Sequence, residues 1–326
     1  MKICLIGKNL TNFVLAKNLA NKNLNVDIIF DTDRENKLSQ RTLAISKENF
    51  NFLYSINSHM KIPAWSVKNI KIYSDKNSSK ELLELKTKNK ENFFLVKYID
   101  IFNSFEKLCK INKKIKLKKI NYKSKSQKTI LEKNYKLIIN SDKNNNLNYK
   151  KFEKNYNAIA FTGILDHEIK KKNIEAIQIF TKYGPLAFLP LSKTKTSIVF
   201  SISNNYKINE KQLFDLIKKY NLNYKIKKIS KFEKVKVKFL MPRSYLHKNT
   251  LFFGDILHTI HPLAGQGFNM TIRDIKMLSS LIDEKIELGL ELDESLFQDF
   301  QIKTKHLNYT FGIGIDFIHK FFKIDN

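Results

Sequence analysis

Residues 254–269 read GDILHTIHPLAGQGFN, and the fold is decided by what flanks and fills this stretch. It follows a short apolar run, Thr250-Leu251-Phe252-Phe253, with the unbroken hydrophobicity of a strand buried on both faces of a parallel sheet. A helical pattern opens at Met270, with Ile275, Leu278 and Leu281 at three-residue spacing. Between strand and helix lie an acid directly after a glycine, two histidines, a proline and the triplet Gly265-Gln266-Gly267. Glycines just ahead of a helix let backbone approach a ligand closely, and the helix start then offers free N–H groups and partial positive charge to an anion. Two glycines alone would equally suit a tight structural turn. The full string is more specific than that.

At the N-terminus, Lys2–Ile6 reads as a strand, Phe13 to Ala20 as a helix, and Val26–Phe30 as a second strand ending at Asp31. This is the opening βαβ unit of a dinucleotide-binding fold, whose fingerprint would place glycines at positions 7, 9 and 12. The sequence Gly7-Lys8-Asn9-Leu10-Thr11-Asn12 keeps only the first. Asn9 tolerates positive φ better than most residues and is expected to hold the turn that way. Asn12 stands where the third glycine would let helix and strand pack closely. Lys8 faces either a diphosphate or solvent. Asp31 sits where a carboxylate hydrogen-bonds an adenosine ribose, the plainer alternative being a turn-forming acid.

The stretch Gly254–Asn269 resembles the second flavin-binding motif of the FAD-dependent aromatic hydroxylases with the p-hydroxybenzoate hydroxylase fold. The nearest branch is the one that hydroxylates the ring of ubiquinone precursors. Gly254, Asp255, His258, His261, Pro262, Ala264, Gly265, Gln266, Gly267 and Asn269 fit that motif, and Asp274 fits its closing acid. Thr271 departs from it, standing where many members carry glycine. Ser39-Gln40-Arg41-Thr42-Leu43-Ala44-Ile45-Ser46 is similar to the branch's R-x-x-A-x-S segment, in which the arginine reaches the FAD phosphates. Phe180 to Leu191, read as F-x-x-x-GPLA-x-LPL, resembles the strand where the substrate sheet faces the flavin; without the resemblance it reads as a proline-bounded edge strand. Asp142 matches an acid that helps seat FAD, but Lys143 replaces the glycine after it. Asn308, Gly312, Asp316 and the aromatic run through Phe322 look like the family's last helices, and the chain stops soon after.

The resemblance implies an α/β protein: a discontinuous Rossmann-like FAD-binding domain (1–66, 92–146 and 250–326) with an inserted β-sheet-rich substrate domain (67–91 and 147–249). It implies FAD held by Gly7, Asp31, Arg41, Asp142, Gly254, Asp255, Pro262, Gly265, Gln266, Gly267 and Asn269, with Pro262 shaping the flavin face. It implies reduction by NAD(P)H or another donor, dioxygen as co-substrate, and one oxygen atom delivered to an aromatic, prenylated phenol. The chemistry is then the cofactor's, and neither a catalytic triad nor a metal is expected. Two alternatives stay open: a same-fold flavoprotein with another substrate, and a degenerate, non-catalytic partner in a biosynthetic complex. The missing glycines at 9, 12, 143 and 271 motivate the second.

Composition sets the limits. A chain of 326 residues with 42% hydrophobic side chains is long enough for two lobes and too apolar to be disordered. Cys4 and Cys109 lack metal-type spacing and read as reduced thiols. No transmembrane run or signal peptide is visible, so the expected location is cytoplasmic, with membrane-surface contact open. The net charge of +28 suggests nucleic acid, but the lysines are scattered, arginine is scarce and no nucleic-acid module appears. Weak attraction to an anionic bilayer fits a prenylated substrate better. His258 and His261 have no supporting ligands, which argues against zinc.

From the Trp65–Lys86 alternation, strands are expected to leave the first lobe there. Ile101, Phe105 and Leu108 mark a helix, Ile115–Lys133 reads as a lysine-rich hairpin, Lys136–Asn140 as a strand, and 144–155 as an irregular surface segment. Strands are expected at Ala158–Leu165, Ile177–Thr181, Ser197–Ser203 and Val235–Phe239.

Overall fold

The computed structural model describes residues 2–31, 41–57, 62–75, 81–86, 93–122, 124–143, 150–260 and 266–324. The chain opens with β1 (Lys2–Ile6), α1 (Leu10–Asn21) and β2 (Asn25–Phe30), the βαβ unit expected from the sequence. It continues through β3 (Thr42–Ser46), α2 (Lys47–Ile56), β4 (Ala64–Val67), β5 (Asn69–Ser74), β6 (Glu81–Lys86) and β7 (Phe93–Lys97). Then come α3 (Tyr98–Ile111), β8 (Ile115–Lys119), α4 (Lys125–Asn134) and β9 (Leu137–Asn140). A second lobe follows: β10 (Lys151–His167), β11 (Glu175–Thr181), β12 (Gly184–Pro190), β13 (Lys195–Ser203), α5 (Glu210–Tyr220), β14 (Ile226–Ile229) and β15 (Glu233–Pro242). The chain returns through β16 (Leu246–His247), β17 (Thr250–Phe252), α6 (Gln266–Glu287) and α7 (Ser295–Ile324).

The first sheet has the order β16-β17-β9-β1-β2-β8 and is parallel except for the short β16. A parallel sheet needs cover on both faces, and its strands are correspondingly apolar. Helices α1, α3 and α6 cover one face in a core built on Phe13, Phe105, Phe252, Ile275 and Phe297. Tyr122, Leu131 and Tyr135 cover the other, against Cys4, Ile29 and Ile138. The second sheet, β14-β10-β13-β12-β11-β5-β6 with β15 also on β10, packs α5 through Leu213, Ile217 and Tyr220. A three-stranded sheet, β3-β7-β4, completes the molecule.

Several expectations are corrected. Ile115–Lys133 is not a hairpin: β8 runs parallel to β2 and α4 follows, capped by Ser124, whose Oγ accepts from the Gln127 N–H at 3.3 Å. β8 is the edge strand of the first sheet, where solvent-facing lysines mask the apolar pattern. Residues 151–155, expected to be irregular, begin the 17-residue strand β10, and their charges pair across it, as in Lys238–Glu153 at 3.1 Å. Helix α6 starts at Gln266 rather than Met270. The GPLAFLP strand is not an edge: β12 lies between β11 and β13.

Asp27, 1% exposed, is buried in the first sheet with Lys118 Nζ at 2.7 Å and the Tyr135 hydroxyl donating at 2.6 Å. Burial alone would raise its pKa; the hydrogen bonds from Lys118 and Tyr135 overcome that and hold it below the usual range. The stability this gives is complete above the unfolded carboxyl value of about 3.9 and is lost as pH falls through the depressed folded value. Melting curves of the wild type and Asp27→Asn should therefore converge as pH drops below about 4. A gap that stays constant down to the acid end would refute the assignment.

Candidate functional site

Because β2, β1, β9 and β17 run parallel, the residues that follow them emerge along one edge of the sheet. Asp31, Gly7, Asp142-Lys143 and Gly254-Asp255 are those residues. All but Gly254 line a cavity of about 800 Å³, within the usual size range for cofactor sites. Its far wall comes from the second sheet: Ala187 and Leu189 of β12, Val199 of β13 and Val237 of β15 form an apolar part, with Glu233, Lys234, Lys236 and Lys238 of β15 beside it. The segment after Asp255 is bonded to that wall, since the Leu240 and Thr259 backbones exchange hydrogen bonds of 2.8 and 3.0 Å.

The turn after β1 is rebuilt rather than lost. Gly7 has φ +116°, a conformation favouring glycine, and a Cβ there would lie 3.2 Å from the Asp142 backbone nitrogen. Asn9 does not take positive φ as expected; at φ −146° it is the N-cap of α1. Its Oδ1 accepts from the Asn12 N–H at 3.0 Å and its Nδ2 donates to Ser141 Oγ at 2.8 Å, tying the turns after β1 and β9 together. Asn12 is fully buried and donates to the Ile6 and Gly7 carbonyls at 2.9 and 2.7 Å. The side chain that replaces the third glycine thus bonds the end of β1. Lys8 is 2.9 Å from Glu106, so its charge has a protein partner.

Arg41 reaches the same cavity from the start of β3, with its guanidinium 4.7 Å from the Tyr98 ring centre. Burial pushes the Tyr98 phenol pKa up. Asp142 accepts a hydrogen bond from the Tyr122 hydroxyl. Lys143 Nζ lies 3.0 Å from Asp255 Oδ2, and the Asp255 side chain remains 40% exposed to the cavity. Burial would raise the Asp255 pKa, but Lys143 and Arg41 outweigh it and hold the carboxyl at about 2, so it is an ionised acceptor at any physiological pH.

Gly267 opens α6 toward the cavity, with no atom of the described residues within 4 Å of where its Cβ would be. Gly254 backs onto α1, where a Cβ would meet Thr11 Cγ2 at 2.9 Å. Asn269 does not line the cavity: its Nδ2 donates to the Ala44 carbonyl at 2.7 Å and its Oδ1 accepts from the Ser46 N–H at 3.0 Å, docking α6 on β3. Gln266 is the first residue of α6. Pro262, Gly265, His261 and Ala264 lie outside the described residues.

Three features were not singled out from sequence. Tyr98 and Tyr122 are distant in the chain and carry no local signal. His258 and Asp274, placed there only as motif positions, form a pair: Nε2 to Oδ2 is 2.7 Å and both side chains are 0% exposed. Among the described residues, the buried polar atoms His258 Nδ1 and Thr42 Oγ1 have no hydrogen-bond partner, and both residues line the cavity. Buried polar groups are normally satisfied, so two such atoms at one cavity are suited to a polar ligand. Ionised Asp255, the cations Arg41 and Lys143, the open start of α6 and the apolar part of the far wall suit the ribitol, phosphates and ring of FAD.

Comparison with known proteins points the same way. The squalene epoxidase family profile matches residues 215–325. The "Ubiquinone biosynthesis monooxygenase COQ6, mitochondrial" of Danio rerio is 23% identical over 209 residues, 52% of this chain and 43% of the relative. That of Caenorhabditis elegans is 23% identical over 224 residues, 55% of this chain and 49% of the relative. The chain thus matches less than half the length of these curated relatives. Among solved structures, PqsL, a probable FAD-dependent monooxygenase from Pseudomonas aeruginosa, superposes with TM-score 0.76 at 11% identity, covering 99% of this chain and 96% of that one. The p-nitrophenol 4-monooxygenase PnpA from Pseudomonas putida DLL-E4 gives TM-score 0.77 at 9% identity, covering 97% and 87%. The resemblance read from the residues therefore holds at both levels: the chain has the α/β fold of the FAD-dependent monooxygenases, and in sequence it is similar to the ubiquinone-biosynthesis monooxygenases.

Proposed function

We propose that the chain binds FAD in this cavity and hydroxylates an aromatic ring, with a polyprenylated phenol of ubiquinone synthesis as substrate. The observation that carries the reading is one cavity running from the ends of four parallel strands to the apolar β12 strand. Bound FAD, reduced by NAD(P)H or another donor, would supply reaction with dioxygen and transfer of one oxygen atom to the ring. The rest falls to the chain. Asp31 would accept hydrogen bonds from the adenosine ribose, and Arg41 would meet the phosphates. Asp255, ionised, would accept from the ribitol hydroxyls. The N-terminus of α6 at Gln266–Gly267 would favour negative charge on the ring system. Gly7, Asp142 and Gly254 would keep the backbone close to the cofactor, Pro262 and Gly265 would border the ring, and Asn269 would act through the position of α6. Ala187, Leu189, Val199 and Val237 would exclude water from the reacting ring.

Sheet membership supports the two-domain division: residues 1–66, 92–146 and 250–326 hold the cofactor, and 67–91 with 147–249 hold the substrate. The substrate's prenyl tail would draw this basic protein to an anionic membrane surface from the cytoplasmic phase; no helix among the described residues is long and apolar enough to cross one. Two observations favour a second reading, a non-catalytic partner in a biosynthetic complex: Asn12 fills the glycine position and Lys143 pairs with Asp255.

Flavin content separates the two. Purified protein should be yellow with bound FAD, and Asp255→Ala should weaken FAD binding roughly 10- to 100-fold, the worth of a charge-assisted hydrogen bond. Colourless protein that takes up no flavin on reconstitution would overturn the enzyme reading. Undiminished FAD occupancy in Asp255→Ala would overturn the placement.

A further inference from the structure

Lys143 is the least expected residue of the cavity wall, and its surroundings give it a task. In dinucleotide folds the first turn of α1 offers its backbone N–H groups to a diphosphate. Here one of those donors is engaged internally, the Asn12 N–H going to Asn9 Oδ1 at 3.0 Å. The adjoining wall carries the carboxylates Asp31, Asp142 and Asp255, which repel an anion. A diphosphate seated there needs positive charge from side chains.

Lys143 follows β9, next to the turn after β1, and its Nζ is fixed 3.0 Å from Asp255 Oδ2. An ammonium has three N–H donors. Asp255 takes one, which positions the group while others remain for a ligand, and the side chain is 47% exposed in the cavity wall. We propose that Lys143 binds the diphosphate of the dinucleotide, replacing with side-chain charge the backbone donors that the glycine fingerprint would have presented. The inference rests on the FAD reading above and deepens it. It also explains why a lysine stands where the flavin-binding pattern has glycine: the residue that erodes one motif compensates for the erosion of another.

The test compares FAD with riboflavin, which has the ring and ribitol but no phosphate. Affinities are measured by flavin fluorescence for the wild type, Lys143→Met and Lys143→Arg. Lys143→Met should bind FAD roughly 10- to 100-fold more weakly, the loss of one charge-assisted bond. Its riboflavin affinity should be unchanged, Lys143→Arg should keep most FAD affinity, and the salt dependence of FAD binding should be shallower in the Met variant. Equal or tighter FAD binding by Lys143→Met overturns the proposal, as does parallel weakening of FAD and riboflavin, which would mean that Lys143 acts only by holding Asp255. If the wild type binds neither flavin, the FAD reading falls and this inference with it.

Discussion

Gly184→Ala is expected to destabilise the protein by roughly 3–5 kcal/mol, combining overpacking with an unfavourable backbone conformation. Gly184 opens β12 with φ +132°, and a Cβ there would sit 2.1 Å from the Ser201 carbonyl oxygen. Ser201 belongs to β13, whose backbone is held on both sides, by β12 through Leu186↔Phe200 and by β10 through Ala160↔Ser201. The obstacle is therefore main chain in mid-sheet and cannot swing aside as a side chain could. On the other side, Thr181 Oγ1 donates to the Gly184 carbonyl at 2.7 Å and fixes the turn. Gly289→Ala is the control: φ is +65° there, but nothing among the described residues lies within 4 Å of the added Cβ, so only the backbone cost of about 1–2 kcal/mol applies. Urea unfolding midpoints should fall much further for Gly184→Ala. Equal losses in the two variants would remove the packing account. Ala187 and Leu189 lie on the same strand and line the cavity, so any shift of β12 should reach the ligand site as well.

The architecture was legible wherever apolar patterning was undiluted. Leu251–Phe253, Ile3–Ile6 and Pro185–Pro190 are buried, and their hydrophobicity is continuous. Where strands lie at an edge, as in β8 and the start of β10, lysine and glutamate interrupt that pattern and hide the element. The site was legible in part for a topological reason. Parallel strands collect the residues that follow them at one end of the sheet, so Gly7, Asp31, Asp142 and Asp255 could each be found one to three residues after a strand. What the string could not express was side-chain pairing across that edge. Lys143 reads as a missing glycine until its partner Asp255 is in view. Asn12 reads as a packing fault until it is found donating to two carbonyls. Asn269 matches a flavin motif, yet its amide binds protein backbone. Spacing identifies positions; it does not say which neighbour has adapted to fill them.

Asp274→Ala is expected to cost roughly 3–5 kcal/mol, the range for removing one partner of a buried polar pair, against a total stability of about 5–15 kcal/mol. Asp274 Oδ2 is 2.7 Å from His258 Nε2, and Oδ1 accepts from Asn308 Nδ2 at 3.4 Å. Asn308 in turn accepts from Arg273 and donates to the Tyr245 hydroxyl at 3.2 Å, so one carboxylate joins the loop after β17 to α6, α7 and the segment before β16. His258, Asp274 and Asn308 are each 0–1% exposed, and water cannot replace the missing acceptor without opening the core. Asp274→Asn keeps one acceptor oxygen for Nε2–H and should lose less than Asp274→Ala. Glu48→Ala supplies the opposite extreme: its pair with Lys276 at 3.0 Å is made by a side chain 88% exposed, and such surface pairs contribute little. Denaturant titrations should rank the losses Asp274→Ala, Asp274→Asn, Glu48→Ala. An Asp274→Ala protein as stable as Glu48→Ala would show that the pair does not hold these elements together. The pair also orients the ring: with Nε2 held against Asp274, Nδ1 is left at the cavity wall, where it has no hydrogen-bond partner among the described residues. If Asp274→Asn folds, weaker flavin binding at preserved stability would separate that orienting role from the structural one.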